Sequence, residues 1–102
     1  MTGEATWTFL TNHGHVLLCI ARDPQMRGRD IAAQVGITER AAQSLIADLV
    51  AAGYVTRSRE GRRNRYELNG SLPLRHPLEQ THHVGELLRV LTEPGRPSTK
   101  TG

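Results

Sequence analysis

The chain has 102 residues, of which 37% are hydrophobic, and this size and composition suit one domain with a thin core. Its single cysteine, Cys19, excludes an internal disulfide and leaves no cysteine pair to seed a zinc site. No apolar run approaches the roughly 20 residues that cross a bilayer, and the first residues do not resemble a signal peptide. These features exclude a membrane partner, and we expect a cytoplasmic protein.

Charge is concentrated in one short stretch. The 13 basic and 10 acidic residues give a net charge of +3, and twelve of the basic residues are arginine. From Arg57 to Arg65 there are five arginines and one acid, Glu60, so this stretch alone carries +4. Arginine binds phosphates and guanine edges bidentately, so a local basic stripe on a near-neutral body indicates a nucleic-acid binder. The alternative is a solvated surface loop that is rich in arginine because of genomic base composition.

The first predicted element is a helix over residues 12–22. Thr11 or Asn12 can cap it through a side-chain oxygen, and Pro24 disfavours helix in the residue before it, which ends the helix at Asp23. Apolar residues follow the cap at helical spacing: Val16, Leu17, Ile20 and Ala21. Cys19 lies beside this stripe, and we expect it to be a buried small hydrophobe rather than a redox switch.

A helix-turn-helix is predicted next. The apolar spacing predicts a short helix over residues 29–35, and Gly36 suits the left-handed position that closes it. Ile37 can fill the angle between two helices, and Thr38 is a good N-cap for a third helix over residues 38–52.

The third predicted helix has a core face and a reading face. At 100° per residue, the apolar side holds Ala42, Leu45, Ile46 and Leu49. The candidate DNA-binding residues of this recognition helix are Thr38, Glu39, Arg40, Gln43, Ser44 and Ala47.

Each of these residue types suits a groove contact. Arg40 can donate twice to guanine and Gln43 can pair with adenine, while Ala47 leaves the face shallow. Thr38 and Ser44 can donate to phosphates, although Thr38 is also the cap. Glu39 can accept from cytosine or simply favour the helix dipole. The alternative is that this face is only the solvent side of an amphipathic helix.

Two β-prone segments, residues 54–57 and 65–68, flank the basic loop 58–64, in which Gly61 supplies the bend. This order predicts a β-hairpin wing. Its candidate DNA contacts, on phosphates or in the minor groove, are Arg57, Arg59, Arg62, Arg63 and Arg65. Strand alternation sends some of these arginines to the opposite face, and exposed arginines on a hairpin also prevent edge aggregation. We expect Tyr54 and Tyr66 to pack in the core rather than to stack on bases.

The end of the chain suggests a helix and a tail. Two prolines, Pro73 and Pro77, mark a connector, and an amphipathic segment follows over residues 78–92. We expect it to form a dimer interface through Leu78, Val84, Leu87, Leu88 and Leu91. Residues 93–102 are expected to be a disordered tail.

These motifs resemble a known family. The stretches Asp30–Gln43, Leu49–Arg57 and Gly61–Leu68 are similar to winged helix-turn-helix regulators of the ArsR and MarR type in bacteria. The resemblance implies a homodimer on an inverted-repeat operator, usually a repressor, with terminal helices at the dimer interface. The cysteine ligands of the metal-sensing members are absent from this chain.

The sequence thus predicts a mainly α fold with a small β-hairpin, a three-helix core plus wing, and an added C-terminal helix. Residues 1–77 form the DNA-binding domain, with a core of 12–68, and residues 78–92 form the dimerisation helix. The predicted function is sequence-specific binding of double-stranded DNA by a homodimeric transcriptional regulator. The alternatives are a protein-interaction module and a ligand- or metal-responsive sensor. No catalytic constellation is present, so we expect no enzyme, no cofactor and no metal.

Overall fold

The computed structural model describes residues 6–93 as four helices and one β-hairpin. The elements in chain order are α1 (Asn12–Arg22), α2 (Gly28–Val35), α3 (Glu39–Ala51), β1 (Val55–Glu60), β2 (Arg63–Leu68) and α4 (Val84–Thr92). The predicted fold class is confirmed. The expected tail falls almost entirely on residues 94–102, which lie outside the described part of the chain. Within that part, none of the helices has the length and apolarity needed to cross a membrane.

The helix termini follow the predicted caps. The Oγ1 of Thr11 accepts a hydrogen bond from the N–H of Gly14, and the Oγ1 of Thr38 accepts one from the N–H of Ala41 at 3.0 Å. Gly36 ends α2 in the left-handed conformation, with φ 88°, which a residue with a Cβ rarely adopts. The bounds of α1 are as predicted, α2 begins one residue earlier, and α3 is flanked by its caps Thr38 and Ala52.

The core lies where α1, α2 and α3 meet the base of the hairpin. The largest fully buried side chains are Tyr66, Ile20, Ile31, Ile46 and Val16. Each such side chain contributes about 1.5–3 kcal/mol relative to an exposed position. Tyr54 is also buried, and its hydroxyl donates to the carbonyl oxygen of Pro73. The prediction that both tyrosines pack in the core is confirmed, and Cys19 is buried as expected.

The hairpin is longer than the sequence indicated. The antiparallel ladder runs from Val55 opposite Leu68 to Glu60 opposite Arg63, which leaves only Gly61 and Arg62 in the turn. The predicted seven-residue loop was therefore wrong, since most of it continues the two strands. Residues 58–60 are exposed strand residues that are ordered by backbone pairing. Because none of them is buried, they show no alternation of apolar and polar residues that would have predicted a strand. Gly61 does supply the bend, with φ 63°.

The C-terminal helix is shorter than predicted. It begins at Val84 rather than at residue 78, and Leu78 lies in the preceding loop with 88% of its surface exposed. Backbone hydrogen bonds from Leu74 N–H to His82 O and from Val84 N–H to Leu72 O hold the start of the helix against the connector.

The helix α4 packs on α1 of its own chain. Val84 and Leu88 are 4% and 5% exposed within the same core cluster as α1. Both side chains are therefore largely covered by their own chain, and their place in a dimer interface stays a prediction. Leu87 and Leu91 are half-buried, and Val90 is 67% exposed.

Candidate nucleic-acid interface

The helix α3 presents a polar face opposite its core face. Ala42, Ile46 and Leu49 are buried and Leu45 is partly buried against the core, as predicted. On the other side the exposed residues are Thr38, Glu39, Arg40, Ser44 and Ala47, and Gln43 is half-buried. All six predicted recognition residues thus lie at the N-cap or on the side of α3 that faces away from the core.

Two of these residues also have local roles. Thr38 caps α3 through its hydroxyl, so this oxygen is already used as an acceptor, although the hydroxyl hydrogen can still be donated. Glu39 lies in the first turn of α3, where a carboxylate interacts favourably with the helix dipole. Arg40, Ser44 and Ala47 are left as the exposed centre of the face.

Gln43 lies against the start of α2. A Cβ added to Gly28 would overlap the Nε2 of Gln43, and the Oε2 of Glu39 would be 3.8 Å away. The absence of a side chain at Gly28 therefore makes room for Gln43. This contact explains the partial burial of Gln43. It joins residues 15 positions apart, and α2 was expected to begin after Gly28, so it was not predicted.

The wing arginines do not form one patch. Residues directly opposite each other in the ladder share a face, so Arg57 lies on the same face as the buried Tyr66, and Arg59 shares that face with Asn64. Arg63 and Arg65 lie on the other face. Arg62 is exposed in the two-residue turn. The hairpin thus divides its positive charge between two faces and a tip.

Two of the five arginines contact the body of the protein. The Nη2 of Arg63 donates to the carbonyl oxygen of Gln25 at 2.6 Å. Arg65 is half-buried and lines a hollow with Ile20 and Pro24. Arg57, Arg59 and Arg62 are all exposed, which makes them the arginines best placed for a phosphate backbone.

None of the hairpin arginines has an ion-pair partner among the described residues. Among residues 6–93, every ion pair within 4.0 Å joins a histidine to a carboxylate, in the pairs His13–Asp48, His82–Glu86 and His83–Glu86. Within the described part of the chain, the wing arginines therefore have no carboxylate partner at this distance.

A side-chain contact that was not predicted links α1 and α3. The Nε2 of His13 lies 2.9 Å from the Oδ2 of Asp48, in a pair whose side chains are 43% and 62% exposed. A partner 35 residues away leaves no local signal in a sequence. The pair joins the first turn of α1 to the C-terminal half of the recognition helix α3.

Nothing in the described residues favours a metal or redox site. No group of three or more His, Cys, Asp or Glu side chains in residues 6–93 is arranged to hold a metal ion. Burial raises the pKa of the Cys19 thiol, partly offset by the charge of Arg22, and this favours the unreactive protonated form. The thiol donates a weak hydrogen bond to the Oε1 of Gln34 at 3.8 Å.

A sequence model of the MarR family matches residues 8–64, more than half of the chain. No curated protein matches the sequence. Among solved structures, the chain is similar to the Mycobacterium tuberculosis MarR family protein Rv2887 in complex with salicylic acid, with 25% identity, a TM-score of 0.49 and 59% of this chain covered.

It is also similar to the zinc-dependent MarR family transcriptional regulator AdcR in its Zn(II)-bound state, with 20% identity, a TM-score of 0.47 and 64% of this chain covered. In each case the match covers 47% of the other chain, so this chain spans about half the length of either structure. The family match over residues 8–64 takes in α1, α2, α3 and most of the hairpin. The chain belongs to the MarR family of winged helix-turn-helix transcriptional regulators, a non-enzymatic family.

Proposed function

We propose that this protein is a sequence-specific regulator that binds double-stranded DNA. In this proposal α3 enters the major groove with Arg40 and Gln43 toward base edges, and the wing hairpin contacts the flanking phosphates or the minor groove. The family resemblance favours a repressor, and we propose that it acts in the cytoplasm. The reading domain covers residues 12–68, with α4 packed on its side.

One observation supports this function above the others. The exposed face of α3 lies in the same small domain as a hairpin whose arginines have no carboxylate within 4.0 Å among residues 6–93. If the polar face of α3 were only the solvent-exposed side of an amphipathic helix, it would not need an arginine-rich hairpin beside it. Arginine beside a groove-sized helix supplies both the direct readout and the salt-sensitive phosphate contacts that specific DNA binding uses.

We further propose that the protein acts as a homodimer on a pseudo-palindromic operator. A two-fold axis would present two α3 helices to half-sites about 34–36 Å apart. Because Val84 and Leu88 are buried within the chain, the partner surface would use the remaining apolar residues of this region. These are Leu78, Leu87, Val90 and Leu91.

Fluorescence anisotropy with DNA from upstream of the protein's own gene, and with a scrambled duplex, tests the proposal. Both duplexes are titrated at two salt concentrations with the wild type, Arg40→Ala and Arg62→Ala. We expect Arg40→Ala to lose about 1–3 kcal/mol of discrimination between the duplexes. We expect Arg62→Ala to weaken binding to both duplexes and to reduce the salt slope by about one unit.

A fragment pool covering the whole genome makes the test independent of the chosen operator. Recovery of a pseudo-palindromic sequence by the wild type would support both the function and the dimer. If the wild type enriches no sequence from the pool, the protein-interaction alternative replaces this proposal, with the hairpin as the contact surface. Analytical ultracentrifugation of Val90→Asp against the wild type tests the dimer separately.

A further inference from the structure

The turn between α1 and α2 is held rigidly by its own hydrogen bonds. The N–H of Met26 donates to the carbonyl oxygen of Asp23, and the N–H of Gln25 donates to the Oδ1 of the same residue, each at 3.0 Å. The side chain of Met26 is buried in the core. The turn Asp23–Met26 is therefore fixed relative to the helices on either side of it.

This turn makes three hydrogen bonds to the hairpin. The N–H of Tyr66 donates to Pro24 O at 2.9 Å, the Nη2 of Arg63 donates to Gln25 O at 2.6 Å, and the Nε2 of Gln25 donates to the Oε1 of Glu60 at 3.0 Å. Glu60 and Arg63 form the last pair of the ladder. Two of the three bonds therefore hold the hairpin directly below the Gly61–Arg62 tip.

The same segment of the chain also contacts the recognition helix. Gly28 follows the turn by two residues and lies against the side chain of Gln43 on α3. Residues 23–28 thus contact both of the elements that the proposed function places on DNA. The spacing between tip and helix has to match the spacing between a minor groove and the adjacent major groove, so a fixed connection between them has a direct use.

We propose that residues 23–28 act as a bracket that sets the position of the Arg62 tip relative to α3, with Gln25 as the positioning residue. This inference rests on the proposed DNA-binding function. Gln25 carries no charge and acts on DNA affinity only through the hairpin that it holds. In this proposal Arg63 attaches the hairpin to the bracket rather than contacting phosphate, because its guanidinium donates to the carbonyl oxygen of Gln25.

The first experiment measures DNA affinity with a duplex recovered by the wild type from a random-sequence pool. Gln25→Ala removes the hydrogen bond to Glu60 without changing the net charge, and we expect affinity to fall about threefold to tenfold, the range for one lost hydrogen bond. The matched control is Gln80→Ala, the same change in the exposed loop before α4. Equal affinity of Gln25→Ala and the control would overturn the inference.

A charge-neutral rescue separates positioning from a general structural effect. Gln25→Glu places two carboxylates together and should weaken binding more than Gln25→Ala does. Adding Glu60→Gln to it restores an amide–carboxylate pair with the donor and acceptor exchanged, and leaves the net charge as in the wild type. We expect the double variant to recover to within about twofold of the wild type. Failure to recover would count against the hydrogen bond as the cause.

A double-mutant cycle with Arg62→Met tests whether Gln25 acts through the tip. In the Arg62→Met background we expect Gln25→Ala to change affinity by less than about twofold, because the contact that it positions is already gone. The same threefold to tenfold loss in both backgrounds would contradict the bracket.

A measurement without DNA keeps the inference separate from the proposed function. We expect Gln25→Ala to raise amide hydrogen exchange across residues 59–64, with exchange in α1 and α3 unchanged. Unchanged exchange at the tip would overturn the bracket whatever the DNA results. If the wild type binds no duplex at all, the proposed function fails, and the exchange result still decides whether the bracket exists.

Discussion

The recognition helix and the wing hairpin are held to the same body by different forces. The helix α3 buries three side chains along one stripe, and Ile46 in that stripe has no exposed surface. The two strands bury Val55, Tyr66 and little else, and their outer halves are exposed. Near its tip the hairpin depends on hydrogen bonds to the turn at Gln25. Burial therefore holds the helix, and polar contacts hold the tip.

This difference bears on how each element can adjust on DNA. Apolar packing is dense, so a helix seated by it moves only with the rest of the domain. Exposed hydrogen bonds contribute little net stability because water competes for the same groups. On the DNA of the proposed function, we therefore expect the hairpin tip to shift more than α3, within the range that its hydrogen bonds to residues 23–28 allow.

The largest expected effect is on the buried stripe of α3. Ile46→Ala should lower the free energy of unfolding by about 2–5 kcal/mol, because it removes buried methyl groups and leaves a cavity. Ser44→Ala, on the exposed side of the same helix, should change it by less than about 0.5 kcal/mol. Equilibrium urea denaturation measures both. Similar changes in the free energy of unfolding for the two variants would mean that burial of Ile46 does not hold α3 in place.

The next largest effect is expected in α4, whose backbone at Gly85 lies close to the backbone of Gly70. A Cβ on Gly85 would lie 2.8 Å from the carbonyl oxygen of Gly70 and 3.1 Å from its Cα, both of which are backbone atoms that cannot rotate away. Gly85→Ala should therefore destabilise the protein by about 1–3 kcal/mol through overpacking. A helix with room for the methyl group would instead gain about 1 kcal/mol from alanine.

Thermal or urea unfolding of Gly85→Ala distinguishes these signs. The control is Arg89→Ala, an exposed change on the same helix that leaves the contact with Gly70 intact. A stabilised Gly85→Ala would show that α4 does not dock on its own chain as described, and would return Val84 and Leu88 to the list of possible partner contacts.

The helices were readable from the sequence because their signals are local. The apolar stripe of α1, the left-handed Gly36 and the cap Thr38 each act within one or two turns, so the helix bounds followed from residue spacing. The family resemblance rested on the same local patterns. The contacts between distant parts of the chain had no such signal. Arg63 was predicted to touch phosphate, but the structure turns its guanidinium to Gln25, 38 residues earlier.

The C-terminal segment shows the same limit. Its leucine spacing correctly indicated an amphipathic helix, but the start was placed six residues too early because Leu78 continued the pattern. The start is set by backbone bonds between the connector and residues 82–85, which no periodicity reveals. The apolar face of a helix also does not indicate which element packs against it. Here α1 of the same chain covers Val84 and Leu88.

A third prediction concerns the contact between α2 and the reading face. Gly28→Ala should displace the Gln43 side chain, whose amide occupies the space that the new methyl group needs. Stability should change little, since a flexible side chain can move. If Gln43 reads a base, selectivity at that base pair should fall by up to about tenfold. Selection from a random pool with Gly28→Ala and Gln43→Ala compares the two, and a Gly28→Ala profile identical to the wild type would exclude this role for the contact.

A smaller effect is expected at the start of α3. Thr38→Ala removes the hydroxyl that accepts from the N–H of Ala41 and should cost about 1 kcal/mol of stability. Thr38→Ser keeps the acceptor and should cost much less. If Thr38 also donates to phosphate, the alanine variant will lose DNA affinity beyond what its stability predicts. Urea denaturation and anisotropy on the same preparations separate the cap from the contact.

The smallest expected effect is the acid sensitivity of the first turn of α4, which like the wing tip is held by exposed polar groups. The N–H of His83 donates to the Oε2 of Glu86 at 2.9 Å, and His82 Nδ1 lies 2.8 Å from its other oxygen. These bonds, the first above all, lower the pKa of Glu86 from 4.5 to about 2.

Because this pKa is depressed in the folded state, the stabilising effect of Glu86 is complete above pH 4.5 and is lost as pH falls toward 2. Since the carboxylate is exposed to solvent, the effect should stay local to the helix start. NMR titration of the amides of residues 83–86 should show a transition in this window, and it should be absent in Glu86→Gln. If instead the amides of α3 titrate together with those of α4, acid loosens the whole domain. That result would contradict a local effect of Glu86 on the first turn of α4.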